Sequence, residues 1–237
     1  MCLFTPERSS SMAKGFFITG TDTEIGKTTA SLVLMRAFKQ QGYQVAGMKP
    51  VAAGCQLTPD GLRNDDAQKL LSESSIDLPY ELVNPFAYEP PIAPHIAAAI
   101  INDTLNIGAI ANAYAKIAAQ VDVVIVEGVG GWAVPINDKQ TMADVAKALK
   151  LPVILVSGIR LGCLNHTLLS IDAIRAKGCH IAGWIANLLG ENNSVSQQNI
   201  EYLKNSLPEP CLGTLPYFGE NRVISGKTAL DIQLLCP

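Results

Sequence analysis

The string Gly20-Thr-Asp-Thr-Glu-Ile-Gly26-Lys27-Thr28 follows an apolar run, Phe16 to Gly20, and opens a helical stretch that stops at Gly42. Glycines that allow tight turns, a run of backbone N–H groups and a helix N-terminus together make a cradle for anionic oxygens. A lysine at the end of such a loop reaches the β- and γ-phosphates of a nucleotide, and the hydroxyl after it binds Mg²⁺. Those roles fall on Lys27 and Thr28. The loop is one residue longer than the usual G-x-x-x-x-G-K-[ST], because five residues separate Gly20 from Gly26. The plainer alternative is a strand-to-helix turn with a capping threonine.

A phosphate loop of this kind needs a parallel sheet behind it, and the rest of the chain supplies the pattern. Strand-length apolar runs at 16–20, 44–49, 121–128, 152–158, 180–187 and 211–216 alternate with helical stretches at 27–42, 64–74, 95–101, 106–120, 141–150, 164–177 and 195–206. The run Val121-Asp-Val-Val-Ile-Val-Glu-Gly128 fits a strand buried on both faces. Charged residues are only 16% of the 237 and apolar residues 48%, against about 25% charged in an average domain. The expectation is an α/β protein: one P-loop domain over 14–237, with a mostly parallel, doubly wound sheet and helices on both faces. Residues 50–63 read as a long loop, 77–94 as an irregular proline-rich excursion, and 1–13 as a disordered extension in which Met12 could be the natural start.

Ligands of open parallel sheets bind outside the C-terminal strand ends. The residues that fall there are the Gly20 loop, Lys49, Glu127 with the glycines after it, Gly158 to His166, Asn187 and Pro216. Glu127 closes an apolar strand, where a carboxylate requires a partner; Mg²⁺ is the natural one, the alternative being an exposed loop glutamate. Gly128, Gly130 and Gly131 permit close backbone approach, but no full G-x-G-x-x-G is present. Asp65 and Asp66 are either two dipole-stabilised carboxylates in a first helical turn or include a second Mg²⁺ contact. Lys49 is either a solvated strand-end lysine or a cation at the same sheet edge as the phosphate loop.

Several classes are disfavoured. A net charge of −3 argues against a nucleic-acid surface. The six cysteines, at 2, 55, 163, 179, 211 and 236, contain no C-x-x-C and no zinc spacing with histidine, so they read as reduced thiols. The run Leu151 to Ile159 is far below the ~18 residues a membrane span needs. The first eleven residues lack the apolar core of a secretory signal. A cytoplasmic location is expected.

Nine strings in order resemble the dethiobiotin synthetase family: ITGTDTEIGKT from Ile18, GMKPVAAG from Gly47, LRNDDA from Leu62, NPF from Asn84, PHI from Pro94, IVEGVGGW from Ile125, LPVILV from Leu151, LGCLNH from Leu161 and AGWIAN from Ala182. The longer glycine spacing of the loop is that family's own. The resemblance implies a homodimeric, ATP- and Mg²⁺-dependent cyclo-ligase of biotin biosynthesis. Its substrates would be 7,8-diaminononanoate and CO₂ or bicarbonate. It implies that Glu24, Ile25, Gly26, Lys27, Thr28 and Thr29 cradle the ATP phosphates, aided by Gly128, Val129 and Gly130. It implies that Thr28, Asp66 and Glu127 hold the metal, and that Lys49 is the catalytic lysine facing a carbamate, with Lys27 and Thr21 beside the reacting groups. Asn187 would read the adenine edge, and Pro216, Tyr217 and Phe218 would close on the base. Substrate contacts would include Thr21, Lys49 and Ala53. Gly162, Cys163, Leu164 and Asn165, at a helix start of the partner subunit, would hold the substrate's distal carboxylate.

The sequence departs from the family pattern in three places. Ala53 stands where serine is common, Leu188 where aspartate commonly follows the asparagine, and residues 190–198 run longer than usual. Two other classes share the loop. A partition or membrane-switch ATPase would carry an extra lysine near the loop's start, and Gly20 to Gly26 contains none. Another ATP-dependent amidoligase or small-molecule kinase would turn over ATP without regard to diamines.

Overall fold

The computed structural model describes residues 13–217 and 230–235. Strand β1 (Lys14–Gly20) leads through the glycine loop into α1 (Lys27–Gln40) and β2 (Val45–Met48). The chain then makes β3 (Val51–Ala53), a hairpin of β4 (Gln56–Thr58) and β5 (Gly61–Arg63), α2 (Asp65–Glu73), α3 (Tyr80–Val83) and β6 (Phe86–Tyr88). Helices α4 (Pro94–Ile100) and α5 (Ile107–Ala118) precede β7 (Val123–Glu127). After that come α6 (Met142–Leu149), β8 (Val153–Ile159), α7 (Cys163–Ala176), β9 (Ile181–Leu188), α8 (Ser194–Ser206) and β10 (Cys211–Leu215), with a short 3-10 turn at Ile232–Leu235.

Six strands form one parallel sheet in the order β10-β9-β8-β1-β7-β2. Period-two alternation sorts its side chains. Phe16, Ile18, Val123, Ile125, Ile154 and Val156 pack on the face that α1 covers. Phe17, Val124, Val126, Val153 and Leu155 pack on the face of α5 to α8. Both faces are buried, which is why these strands read as continuous apolar runs. Helix α1 docks through Phe38, fully buried, stacked on Phe16 at 5.7 Å and edge-on to Tyr43 at 5.8 Å.

Two stretches differ from the sequence expectation. Residues 50–63 are not a bare loop: they hold β3 and the β4–β5 hairpin, whose strands are three residues each. The excursion 77–94 contains α3 and β6, and β6 pairs in parallel with β3. Elements this short carry no full period of a hydrophobic pattern, and the prolines at both ends masked them. Elsewhere the predicted elements fall within a few residues of the observed ones, and Gly42 takes the positive φ that ends α1. No helix among the described residues is long and apolar enough to cross a membrane.

The register fixes the site. Met48 lies opposite Val126 in the β2–β7 pair, so the next residues out, Lys49 and Glu127, emerge side by side. Ile18 lies opposite Glu127 in the β1–β7 pair, so the loop after Gly20 rises beside both. Truncating the α1 anchor tests this packing. Phe38→Ala should lower unfolding free energy by about 3–5 kcal/mol, as large buried aromatics do. Urea denaturation should show a lower midpoint with an unchanged slope; a loss under about 1 kcal/mol would contradict the packing described.

Candidate active site

The phosphate loop is shaped by two left-handed residues, Glu24 (φ 58°) and Gly26 (φ 87°). Such alternation turns backbone N–H groups into an anion-binding concavity. Glycine at 26 is also a steric requirement. A Cβ there would lie 2.2 Å from Nδ2 of Asn187. That same amide nitrogen donates to the Ile25 carbonyl at 2.7 Å. Strand β9 thus braces the loop from beneath.

Lys27 is buried, and its ammonium donates to the Asp22 carbonyl at 2.7 Å. Burial, followed by the charge of Lys49, lowers its pKa to about 8. Asp22 is in turn held by Arg160, just after β8, with Nη2 to Oδ2 at 2.5 Å.

Lys49 is 4% exposed and Glu127 is 0% exposed, and they meet with Nζ to Oε1 at 2.5 Å. Lys49 also donates to Oδ2 of Asp66 at 3.0 Å. Burial alone would depress the lysine's pKa; the charges of Glu127 and Asp66 and their hydrogen bonds outweigh it and raise the pKa. Burial would likewise raise the Asp66 pKa, but attraction to Lys49 and the hydrogen bond from it lower it instead. Thr28 donates its hydroxyl to Oε1 of Glu127 at 2.9 Å. The other oxygen, Oε2, is buried with no hydrogen-bond partner.

These groups line one cleft of about 710 Å³. Of the predicted site residues, Glu24, Gly26, Lys27, Thr28, Lys49, Ala53, Asp66, Glu127, Val129 and Gly130 line it. The glutamate is therefore not an exposed loop residue, and the lysine is not solvated. Asp66, on α2, reaches the site while Asp65 pairs outward with Lys69 at 2.6 Å.

Other predicted residues lie elsewhere. Thr21 points away, its hydroxyl accepting from the Gly158 N–H at 3.3 Å. Ile25 is buried under the loop, and Thr29 is buried within α1. Gly128 donates back to the Ile18 carbonyl at 2.9 Å. Gly162, Cys163, Leu164 and Asn165 open α7 outside the cleft, beside Leu161, which is 100% exposed. Pro216 and Tyr217 follow β10 and are exposed; Phe218 lies outside the described residues. Sequence reasoning missed Thr23, Asn64, Val134 and the wall Pro91-Ile-Ala-Pro94 as lining groups. The proline pair in that wall was visible, but nothing in a proline-rich stretch says which side it faces.

The fit to a metal can be judged from the donors. Among the described residues no three His, Cys, Asp or Glu side chains gather into an all-protein metal cage. Magnesium needs none, because it takes one or two carboxylates and leaves the remaining positions to water and phosphate oxygens. Glu127, Asp66 and the Thr28 hydroxyl are hard oxygen donors of the kind that cation takes, and Oε2 of Glu127 has no hydrogen-bond partner among the described residues.

The chain is similar to known proteins. Residues 14–221 match the AAA domain family AAA_26. ATP-dependent dethiobiotin synthetase BioD of Aeromonas hydrophila is 45% identical over 94% of this chain and 100% of its own. That of Pseudomonas paraeruginosa is 45% identical over 93% of this chain and 97% of its own. The chain belongs to the dethiobiotin synthetase family. Solved structures share the fold alone: a chain of the MinC:MinD cell division complex of Aquifex aeolicus has TM-score 0.56 and 16% identity, covering 86% of this chain and 81% of its own. As in other P-loop proteins, the site lies at the C-terminal strand ends. Two of the three departures from the dethiobiotin synthetase pattern have a visible setting. Ala53 lines the cleft, and Leu188 is buried at the end of β9.

A pH effect follows from Lys27. Phosphates favour its charged form, and in the free protein that form is lost as pH rises through about 8. Nucleotide affinity, measured without turnover, should be flat below about pH 7 and weaken above 8, by up to tenfold per unit. Lys27→Arg, which stays charged, should abolish that slope. A wild-type affinity constant from pH 7 to 9 would overturn the assignment.

Proposed function

We propose that the protein carboxylates 7,8-diaminononanoate with CO₂ and closes the product to dethiobiotin, converting ATP to ADP and phosphate. Membership of a family of ATP-dependent ligases supplies the reaction class. The observation that carries the reading of the site is Lys49, a buried cation facing the same cleft as the phosphate loop.

In this reaction one amine of the substrate adds to CO₂ and loses a proton, giving a carbamate. A carbamate oxygen then takes the γ-phosphoryl group, and ADP departs. The second amine attacks the carbamoyl carbon, phosphate leaves, and a five-membered cyclic urea forms. Phosphoryl transfer asks the protein mainly for positioning and charge neutralisation. The loop amides and Lys27 bind the phosphates. Lys49 neutralises the carbamate, which would otherwise lose CO₂. Ring closure is intramolecular, where orientation is worth up to about 7–11 kcal/mol. The cleft, whose lining includes Pro91-Ile-Ala-Pro94, would supply that orientation.

Glu127, Asp66 and Thr28 would hold Mg²⁺, which offsets charge on the phosphate oxygens when bound. Nδ2 of Asn187 gives one proton to Ile25, which leaves its other proton and Oδ1 to meet the adenine edge, with Pro216 and Tyr217 beside the base. The Thr21 hydroxyl, accepting from the Gly158 N–H, ties the start of the loop to β8.

The start of α7 lies outside the cleft, so Gly162 to Asn165 serve the substrate's distal carboxylate from a second subunit. The wholly exposed Leu161 beside them supports burial in a homodimer. We read residues 14–237 as one catalytic unit working in the cytoplasm, where ATP is supplied.

Two measurements test the proposal. ATP hydrolysis by the purified protein should require both the diamine and bicarbonate; turnover indifferent to the diamine would point to another ligase or kinase. Lys49→Gln should lower kcat on the order of 10²–10³-fold while KM for ATP stays within about twofold, since Lys27 and the loop still dock nucleotide. A near-normal kcat would return Lys49 to a structural role.

A further inference from the structure

Outside the cleft, one buried polar chain links two of its charged groups. The Tyr80 hydroxyl accepts from the Asn64 N–H at 2.7 Å and donates to Oδ1 of Asn84 at 2.9 Å. Nδ2 of Asn84 donates to the carbonyl of Lys49 at 2.7 Å and to that of Phe86 at 3.2 Å. Asn64 is the N-cap of α2, its side chain accepting from Ala67 N–H at 3.2 Å, and Asp66 sits in the turn it caps. The circuit closes inside the cleft, where Lys49 Nζ meets Asp66 Oδ2. All three side chains, Asn64, Tyr80 and Asn84, are buried.

We propose that Tyr80 and Asn84 are positioning residues that hold Lys49 and Asp66 at their working separation. This rests on the reading of Lys49 and Asp66 given above. Neither residue lines the cleft, so neither touches a substrate.

The need arises from the backbone. The β2 ladder ends at Met48, and Pro50 has no N–H to continue it. Lys49 would therefore stand at a frayed strand end. Instead its N–H donates to the Val83 carbonyl at 2.8 Å, and its carbonyl is held by Asn84. Both grips come from the α3 corner, so α3 holds the lysine's backbone at the place to which the β2–β7 register delivers it. The same corner carries Tyr80, whose hydroxyl fixes the first turn of α2 and with it Asp66.

The polar inventory is used up. The phenol gives its one proton and accepts one. Asn84 gives both amide protons to carbonyls, so its oxygen must face the phenol. The Arg63 guanidinium lies 4.2 Å over the Tyr80 ring and fixes its plane. Burial also pushes the phenol's pKa up, which keeps it a donor at working pH.

Tyr80→Phe is the test, because it keeps the ring and the Arg63 stack and deletes only the link. The expected result is a kcat lowered about ten- to hundredfold, the loss that small misplacements of reacting groups produce, with KM for ATP and for the diamine within twofold. Asn84→Ala should behave alike, and it carries the test alone if Tyr80→Phe fails to fold. The decisive comparison is with Lys49→Gln. Combining it with Asn84→Ala should slow the enzyme no further than Lys49→Gln alone, because Asn84 grips the lysine's own carbonyl. If Lys49→Gln is crippled while Tyr80→Phe and Asn84→Ala turn over normally, the positioning role is wrong and the reading of the cleft stands. Multiplicative losses in the double variant, or a kcat loss matched by a rise in both KM values, would mark a general structural role and overturn it. A normal kcat in Lys49→Gln would remove both.

Discussion

The Lys49–Glu127 pair is the contact around which the site is arranged. Two charges almost wholly removed from water are expensive to bury, and breaking such a pair by deleting one partner typically costs about 3–5 kcal/mol. The fold meets that demand with geometry. Parallel pairing of β2 and β7 delivers the two side chains together, Thr28 supplies a second hydrogen bond to the same carboxylate oxygen, and Asp66 supplies a second carboxylate to the lysine. The oxygen left over, Oε2 of Glu127, meets no donor among the described residues. A structure selected only for stability would place apolar side chains here. The retained charges are legible as chemistry.

Much of this was readable before any coordinates. The loop from Gly20 to Thr28 declared itself because its chemistry is local: spacing, glycines and flanking elements all lie within one short string. Glu127 was readable because a carboxylate at the end of an apolar run has few explanations. Lys49 could be placed at the correct sheet edge, whereas Asp66 entered the site only through the family resemblance, since its contact with Lys49 depends on the course of 50–66. Asp65 and Asp66 illustrate the limit. They are neighbours in the same helical turn, and only the helix's rotation decides that one enters the cleft while the other pairs with Lys69.

What stayed hidden lies in short elements and in two-sided roles. The β3 strand and α3 are too short to show a period, yet β3 lines the cleft and the α3 corner is the mount for Lys49. The Thr21 hydroxyl and the Asn187 Nδ2 serve the scaffold: one ties to β8, the other to Ile25. A motif names a position, and the three-dimensional neighbours decide which atoms of it remain for a ligand.

The order of the strands has a consequence for how the chain assembles. β1 and β2 are successive in sequence but not neighbours in the sheet: β7 lies between them. The usual tendency of sequential strands to pair must be resisted until Val123 to Glu127 has been synthesised and inserted as a wedge. A nascent chain that carries the phosphate loop, α1 and β2 therefore has neither its central pairing nor its acidic partner for Lys49. The strand that joins β1 to β2 is the one that brings Glu127, so joining those two strands and completing the charged cluster require the same segment. Half-made chains cannot present a finished nucleotide site, and the long sequence separation of that closing contact makes it an inherently slow step.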